Sequence, residues 1–271
     1  MPAHPEHTSS PHEPATEKAF GPRERLAIWL LLASAFVVIL NETIMSVALP
    51  KLMSDLDITA AAGQWLTTAF LLTMSVVIPI TGMLIQRMKT RTLFTIAMGL
   101  FSLGTLIAAL APGFFVLLLG RVVQAGGTAI MMPLLMTTVV VLVPEQQRGR
   151  LMGRIAIVIS VAPALGPTVS GLILQWLSWR WLFIFVLPIA LTALIIGVLR
   201  LPNVGTQRKV RVDFLSVLLS IVGFGGIVWG LSAVGESANA EHSIPPLALI
   251  LVGVAGLALF IWRQLRLQRQ D

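Results

Sequence analysis

The chain has 271 residues, of which 56% are hydrophobic and only 11% charged, against about 25% charged in an ordinary soluble domain; with a mean hydropathy of +0.89, this excludes a water-soluble globular protein. No cysteine is present, which excludes a disulfide framework, a thiolate metal site and a catalytic thiol. The net charge of +7 would suggest a nucleic-acid partner if the basic residues formed one surface, but they punctuate long apolar runs, so no nucleic acid is expected.

Residues 1–25, rich in Pro, His, Glu, Ser and Thr, carry too little apolar surface to fold and read as a disordered tail. They are not a cleavable signal, because the apolar run that follows is far longer than the roughly 7–15 residues of a signal core and continues into Asn41-Glu42. Apolar windows of about 20 residues, enough to cross a ~30 Å hydrocarbon core, fall at 26–49, 63–85, 92–111, 114–143, 151–175, 181–200, 214–234 and 244–262. They lack the alternation of barrel strands and are about twice the length such strands need. The expected fold class is an all-α membrane protein with eight transmembrane helices.

Cytoplasmic loops are enriched in Lys and Arg, and the connections here split cleanly. Sixteen basic residues fall on one side, in the two tails and the loops after spans 2, 4 and 6; Lys51 and Arg180 fall on the other. Both termini are therefore expected in the cytoplasm. All four histidines lie in tails or loops, leaving none at membrane depth to relay protons.

The remaining basic residue, Arg121, lies inside span 4, and one acid, Glu42, lies inside span 1. A charged group at the centre of a membrane helix costs ~2.5–3.5 kcal/mol on insertion scales, so its presence suggests function. Each is about seven residues from the outer end of its span, ~10 Å deep at 1.5 Å per residue, on helices running in opposite directions. That placement makes an ion pair available. It reads as a carboxylate that exchanges a proton while Arg121 alternately stabilises and releases it, as a static pair that fixes packing, or as two water-exposed side chains if the span boundaries lie elsewhere. Gln124, one turn from Arg121, extends the polar face, and Asn41 lies beside Glu42; both also suit interhelical hydrogen bonding. A third feature is the run Ala162 to Gly171 in span 5, where small residues and two prolines allow close approach of a neighbouring helix.

Taken together, several segments resemble the major facilitator superfamily and, within it, the fourteen-span drug:proton antiporters. Leu40-Asn41-Glu42-Thr43-Ile44-Met45-Ser46-Val47-Ala48-Leu49-Pro50 is similar to the first-span motif L-D-x-T-x-x-N-x-A-L-P, with Asn41 at the usual acid and the acid one position on, at Glu42. Gly82 to Arg91 resembles the loop G-x-L-A-D-R-x-G-R-K/R, which in the family latches the cytoplasmic face; Gly82, Arg87 and Arg91 match, and Gln86 replaces the acid. Arg121-Val122-Val123-Gln124-Ala125-Gly126-Gly127 resembles R-x-x-Q-G-x-G, associated with proton coupling. In span 5, Gly166, Pro167 and Gly171 match the antiporter signature G-x-x-x-G-P-x-x-G-G, and Trp179 to Pro188 resembles the W-R-W-x-F-x-x-N-x-P start of span 6, with Val186 for Asn.

The resemblance implies a six-helix N-terminal bundle over 26–200, a cytoplasmic loop at 201–213, two linker helices over 214–262 and a cytoplasmic tail at 263–271. It also implies proton-coupled efflux of small lipophilic or cationic compounds across the plasma membrane. Transporters of this kind hold substrate between two related halves, so the chain is expected to be an incomplete copy that needs a missing C-terminal half or a second chain. The alternative is a non-transporting membrane scaffold or a half-transporter that assembles with another chain. No enzyme activity, cofactor or metal is expected, since no nucleotide loop, catalytic arrangement or metal spacing occurs. The expected partners are the substrate, protons and the lipid bilayer.

Overall fold

The computed structural model describes residues 21–203, 214–236 and 245–268. These form eight helices in chain order: α1 (Pro22–Asp55), α2 (Ala60–Arg87), α3 (Thr90–Ala109), α4 (Phe114–Leu142), α5 (Glu145–Trp176), α6 (Arg180–Arg200), α7 (Phe214–Glu236) and α8 (Pro246–Gln268). Seven are long and apolar enough to cross a membrane, while the apolar stretch of α8, Leu247–Arg263, is shorter. The protein is thus an all-helical, multi-pass membrane protein; eight crossings, divided six plus two, remain an expectation.

Each observed helix contains or closely matches its expected span, and the largest extensions are polar. Helix α1 starts at Pro22, whose fixed φ suits a first helical position, and has Glu24 in its first turn. Pro22–Arg25, expected in the tail over 1–25, are therefore helical, and residues 1–20 lie outside the described residues, as do 204–213 of the expected loop, all four histidines and 269–271. At the far end of the chain the helix continues through Gln268, into the expected tail. Pro50, Pro79, Pro133, Pro163, Pro167 and Pro188 all lie inside helices, as membrane helices permit where neighbours satisfy the freed carbonyls.

Helix α4 packs on α2 and α3, α6 on α3 and α1, and α5 on α1; α7 and α8 form a hairpin that leans on α2. Missing Cβ atoms set the closest crossings. A Cβ on Gly120 would sit 2.8 Å from the Ala108 nitrogen, and one on Gly127 would sit 2.6 Å from the Phe101 nitrogen, so α3 and α4 touch backbone to backbone. Helices α1, α3 and α4 bury 61%, 56% and 56% of their most apolar stretches, α2 and α5 only 17% each. The last two therefore flank the bundle and keep broad faces uncovered.

Two apolar cores stack along the bundle. The larger joins Ala27–Val38 of α1, Leu93–Phe101 of α3 and Ile130–Val143 of α4; the smaller joins Ile44–Leu52 of α1, Ala108–Ala111 and Leu117 to Trp179–Phe183. Between them α1 presents Asn41, α3 presents Ser102 and Thr105, and α4 presents Arg121, Gln124 and Thr128, all buried.

Candidate functional site

This buried polar layer is the candidate site. Arg121 is 1% exposed and Gln124 fully enclosed. Being three residues apart, they share a helix face, and Arg121 Nη1 donates to Gln124 Oε1 at 2.6 Å. That bond fixes the amide's direction, so Gln124 Nε2 donates to Thr105 Oγ1 at 2.8 Å, and the Thr105 hydroxyl donates to the Phe101 carbonyl at 2.7 Å. The result is a one-way chain of donors from α4 into α3. Gly104 permits it: a Cβ there would sit 2.6 Å from the Gly120 carbonyl oxygen and would also meet the Gln124 backbone. On its other side the Arg121 guanidinium lies 4.0 Å from the ring centroid of Phe70, from α2, a cation–π contact that tolerates a charge without neutralising it.

Arg121 and Glu42 interact electrostatically but form no ion pair. Gln124, one turn away on the same helix, takes the guanidinium first. Helix α1 also runs on to Asp55, so Glu42 is thirteen residues from the end of its helix and Arg121 only seven from the start of its own. Glu42 is half-buried, and its neighbour Asn41 is 1% exposed. Among the described residues, three buried side-chain polar atoms have no hydrogen-bond partner, Asn41 Oδ1, Ser102 Oγ and Arg121 Nε, and all three belong to this layer. Unsatisfied buried groups are costly. Their concentration between two well-packed apolar cores marks a place where a polar ligand, water or a moved carboxylate finds ready partners.

The other expected residues divide among three places. Gly166 packs against Thr43 of the first-span motif, where a Cβ would lie 2.7 Å from the Thr43 Cβ, and Ser170 Oγ donates to the Ile44 carbonyl at 3.3 Å. Helix α5 thus clamps α1 beside Glu42. Pro167 is exposed, and Gly171 has open space where a Cβ would stand, so they lie on the uncovered side of α5. In the expected latch, Met88 and Lys89 alone separate α2 from α3, and the Arg91 amide donates to Asn203 Oδ1 at 3.3 Å, tying the turn to the end of α6. Gly82 and Arg87 are exposed on the preceding turns of α2. At the opposite end Arg180 donates to the Ala111 carbonyl at 2.8 Å while lying 4.3 Å from the Trp179 ring centroid, which pins α6 to the α3–α4 turn.

Sequence reasoning missed Thr105, Phe70 and Asn203. A threonine or phenylalanine within an apolar run carries no mark of its own, and only the helix crossing brings it to Arg121 or Gln124.

Comparison with known proteins now identifies the lineage. The sequence profile of the Major Facilitator Superfamily matches residues 31–266. The chain belongs to this superfamily. It is 46% identical over 242 residues to the uncharacterized MFS-type transporter YcnB of Bacillus subtilis, covering 89% of this chain and 51% of that protein. It is 45% identical over 238 residues to the lincomycin resistance protein LmrB of Listeria monocytogenes, covering 88% and 50%. The putative multidrug resistance protein MdtD of Escherichia coli is 30% identical over 237 residues, covering 88% and 50%. The chain therefore spans about half the length of the curated relatives it matches. Among solved structures, the human organic anion transporter MFSD10 shares the fold, with a TM-score of 0.63 at 14% identity over 82% of this chain and 59% of the other.

Proposed function

We propose that the protein exports small lipophilic or cationic compounds across the plasma membrane in exchange for protons, by alternating access, with both termini in the cytoplasm. The observation that carries this reading is the polar layer: a buried arginine held by a neutral amide and an aromatic face, close enough to Glu42 to interact but not paired with it. In such an arrangement Glu42 picks up a proton in one state of the cavity, and Arg121 favours its release in the other. The kinship with proteins named for lincomycin and multidrug resistance supports an antibiotic-like substrate. Substrate then lies between this bundle and a second one, reached across the uncovered faces of α2 and α5.

The half-length match and those two open faces also favour a second reading, a half-transporter or scaffold that assembles with another chain. Proteoliposomes containing the intact protein test the first. An imposed pH gradient drives movement of a lipophilic cationic dye in the wild type, whereas Glu42→Gln binds the dye yet moves it independently of the gradient. Proton flux in Glu42→Gln equal to that of the wild type would mean that the carboxylate has only a packing role.

A further inference from the structure

Where α1 begins, α4 ends and α5 begins, the bundle holds a cavity of about 370 Å³ whose polar rim is Arg25 from α1 with Gln147, Arg150 and Arg154 from α5. Trp29, 52% exposed, and Leu151 also line it, and the buried Ile28 and Val143 extend its apolar side into the larger core. Among the described residues, none that lines it is acidic. Arg150 and Arg154 stand one helical turn apart and have no ion-pair partner among the described residues. Arg148 behaves differently: it lies 3.7 Å from the Glu145 carboxylate and donates to the Val140 and Val143 carbonyls, which caps α4. Arg150 and Arg154 have no such structural task.

The Arg150 and Arg154 guanidinium groups, one turn apart on the same face of α5, repel each other unless an anion lies between them, and their forked donors match phosphate oxygens. The apolar half of the lining narrows the choice of anion. A soluble phosphate would use the cations alone, whereas a phospholipid uses both, because its phosphate lies at the level of the polar rim and its glycerol and first acyl carbons lie below. An exposed tryptophan at the end of a membrane helix suits that boundary. We propose that this cavity binds one anionic phospholipid, with Arg150 and Arg154 donating to the phosphate, Arg25 facing it from α1, and Trp29 and Leu151 against the glycerol and upper acyl chain.

The test uses the intact protein in an uncharged detergent, titrated separately with phosphatidylglycerol, phosphatidylcholine and inorganic phosphate, and read by native mass spectrometry and thermal unfolding. One phosphatidylglycerol should stay bound and raise the Tm, and phosphatidylcholine should not. The Arg150→Gln/Arg154→Gln variant should keep its lipid-free Tm and lose at least about tenfold in affinity, in line with two basic contacts removed. Arg150→Lys/Arg154→Lys should recover part of that loss. Arg23→Gln, an exposed cation at the same end of α1 but outside the cavity, should bind as the wild type does. Equal phosphatidylglycerol affinity in the wild type and the double glutamine variant would overturn the site. Saturation by inorganic phosphate, with no further gain from phosphatidylglycerol, would overturn the lipid as its occupant.

Discussion

Gln124 is the residue on which the polar layer turns, because it accepts from Arg121 and donates to Thr105 in one amide. Replacing it with leucine of similar volume removes both bonds and strands the guanidinium. Breaking a hydrogen bond to a buried charge costs about 1.5–3 kcal/mol and leaving that charge without a partner costs more, so Gln124→Leu should show a clear loss of Tm in detergent. Thr105→Val keeps the shape but leaves the neutral Gln124 Nε2 without its acceptor and should cost about 1–3 kcal/mol, less than stranding the guanidinium. If the two variants unfold at the same temperature, the amide is not the pivot. Asn41, Glu42, Arg121 and Gln124 were legible in the sequence because polar groups inside apolar windows are conspicuous. Their pairing was not. Equal depth on antiparallel helices makes Glu42 and Arg121 look like an ion pair, but an amide at i+3 needs no second helix to reach the guanidinium, and it takes the contact.

At the scale of the helix, the adjacent glycines of α4 separate two roles that look alike in sequence. A Cβ on Gly127 would collide with the α3 backbone at Ala97 and Phe101, whereas one on Gly126 would meet only a Leu100 methyl at 3.7 Å, an ordinary contact. Gly127→Ala should therefore destabilise by about 1–3 kcal/mol through overpacking. Gly126→Ala should be neutral or stabilising by up to about 1 kcal/mol, since alanine is the better helix former. Thermal unfolding of the two single variants checks this, and similar losses in both would contradict the crossing. Positions of helices were legible because hydropathy registers the bilayer. Their ends were less so: α5 starts at Glu145, six residues before its apolar window, because a Pro144 cap and polar helix formers extend a helix into water as readily as into lipid. The window measures the membrane, while the helix follows its caps.

For the whole molecule, the basic asymmetry of the loops and the open faces of α2 and α5 lead to two expectations. The 271 residues contain no cysteine, so single cysteines report without background. Placed at the exposed positions Ser54 and Ser178, they should react with an impermeant thiol reagent in intact cells, and one at Gln146, exposed in the first turn of α5, should not. Labelling at Gln146 from outside would invert the topology. The second expectation concerns completeness of the cavity. Helices α2 and α5 leave most of their surface uncovered, and Pro167 and Gly171 of the antiporter-like run lie on that side. In a membrane such faces can rest on lipid without cost, so residues 1–271 expressed alone should insert and be recovered as folded protein. A bundle with one wall, however, cannot shield a substrate from both sides of the membrane in turn, and alternating access needs two. Cells making only these residues should accumulate a lipophilic cationic dye as fast as cells making none. Supplying the C-terminal half of a full-length relative, as a fusion or as a separate chain, should restore energy-dependent export. Export by residues 1–271 alone in liposomes, with cross-linking between single cysteines on α5 of two copies, would instead mean that a second copy supplies the missing wall.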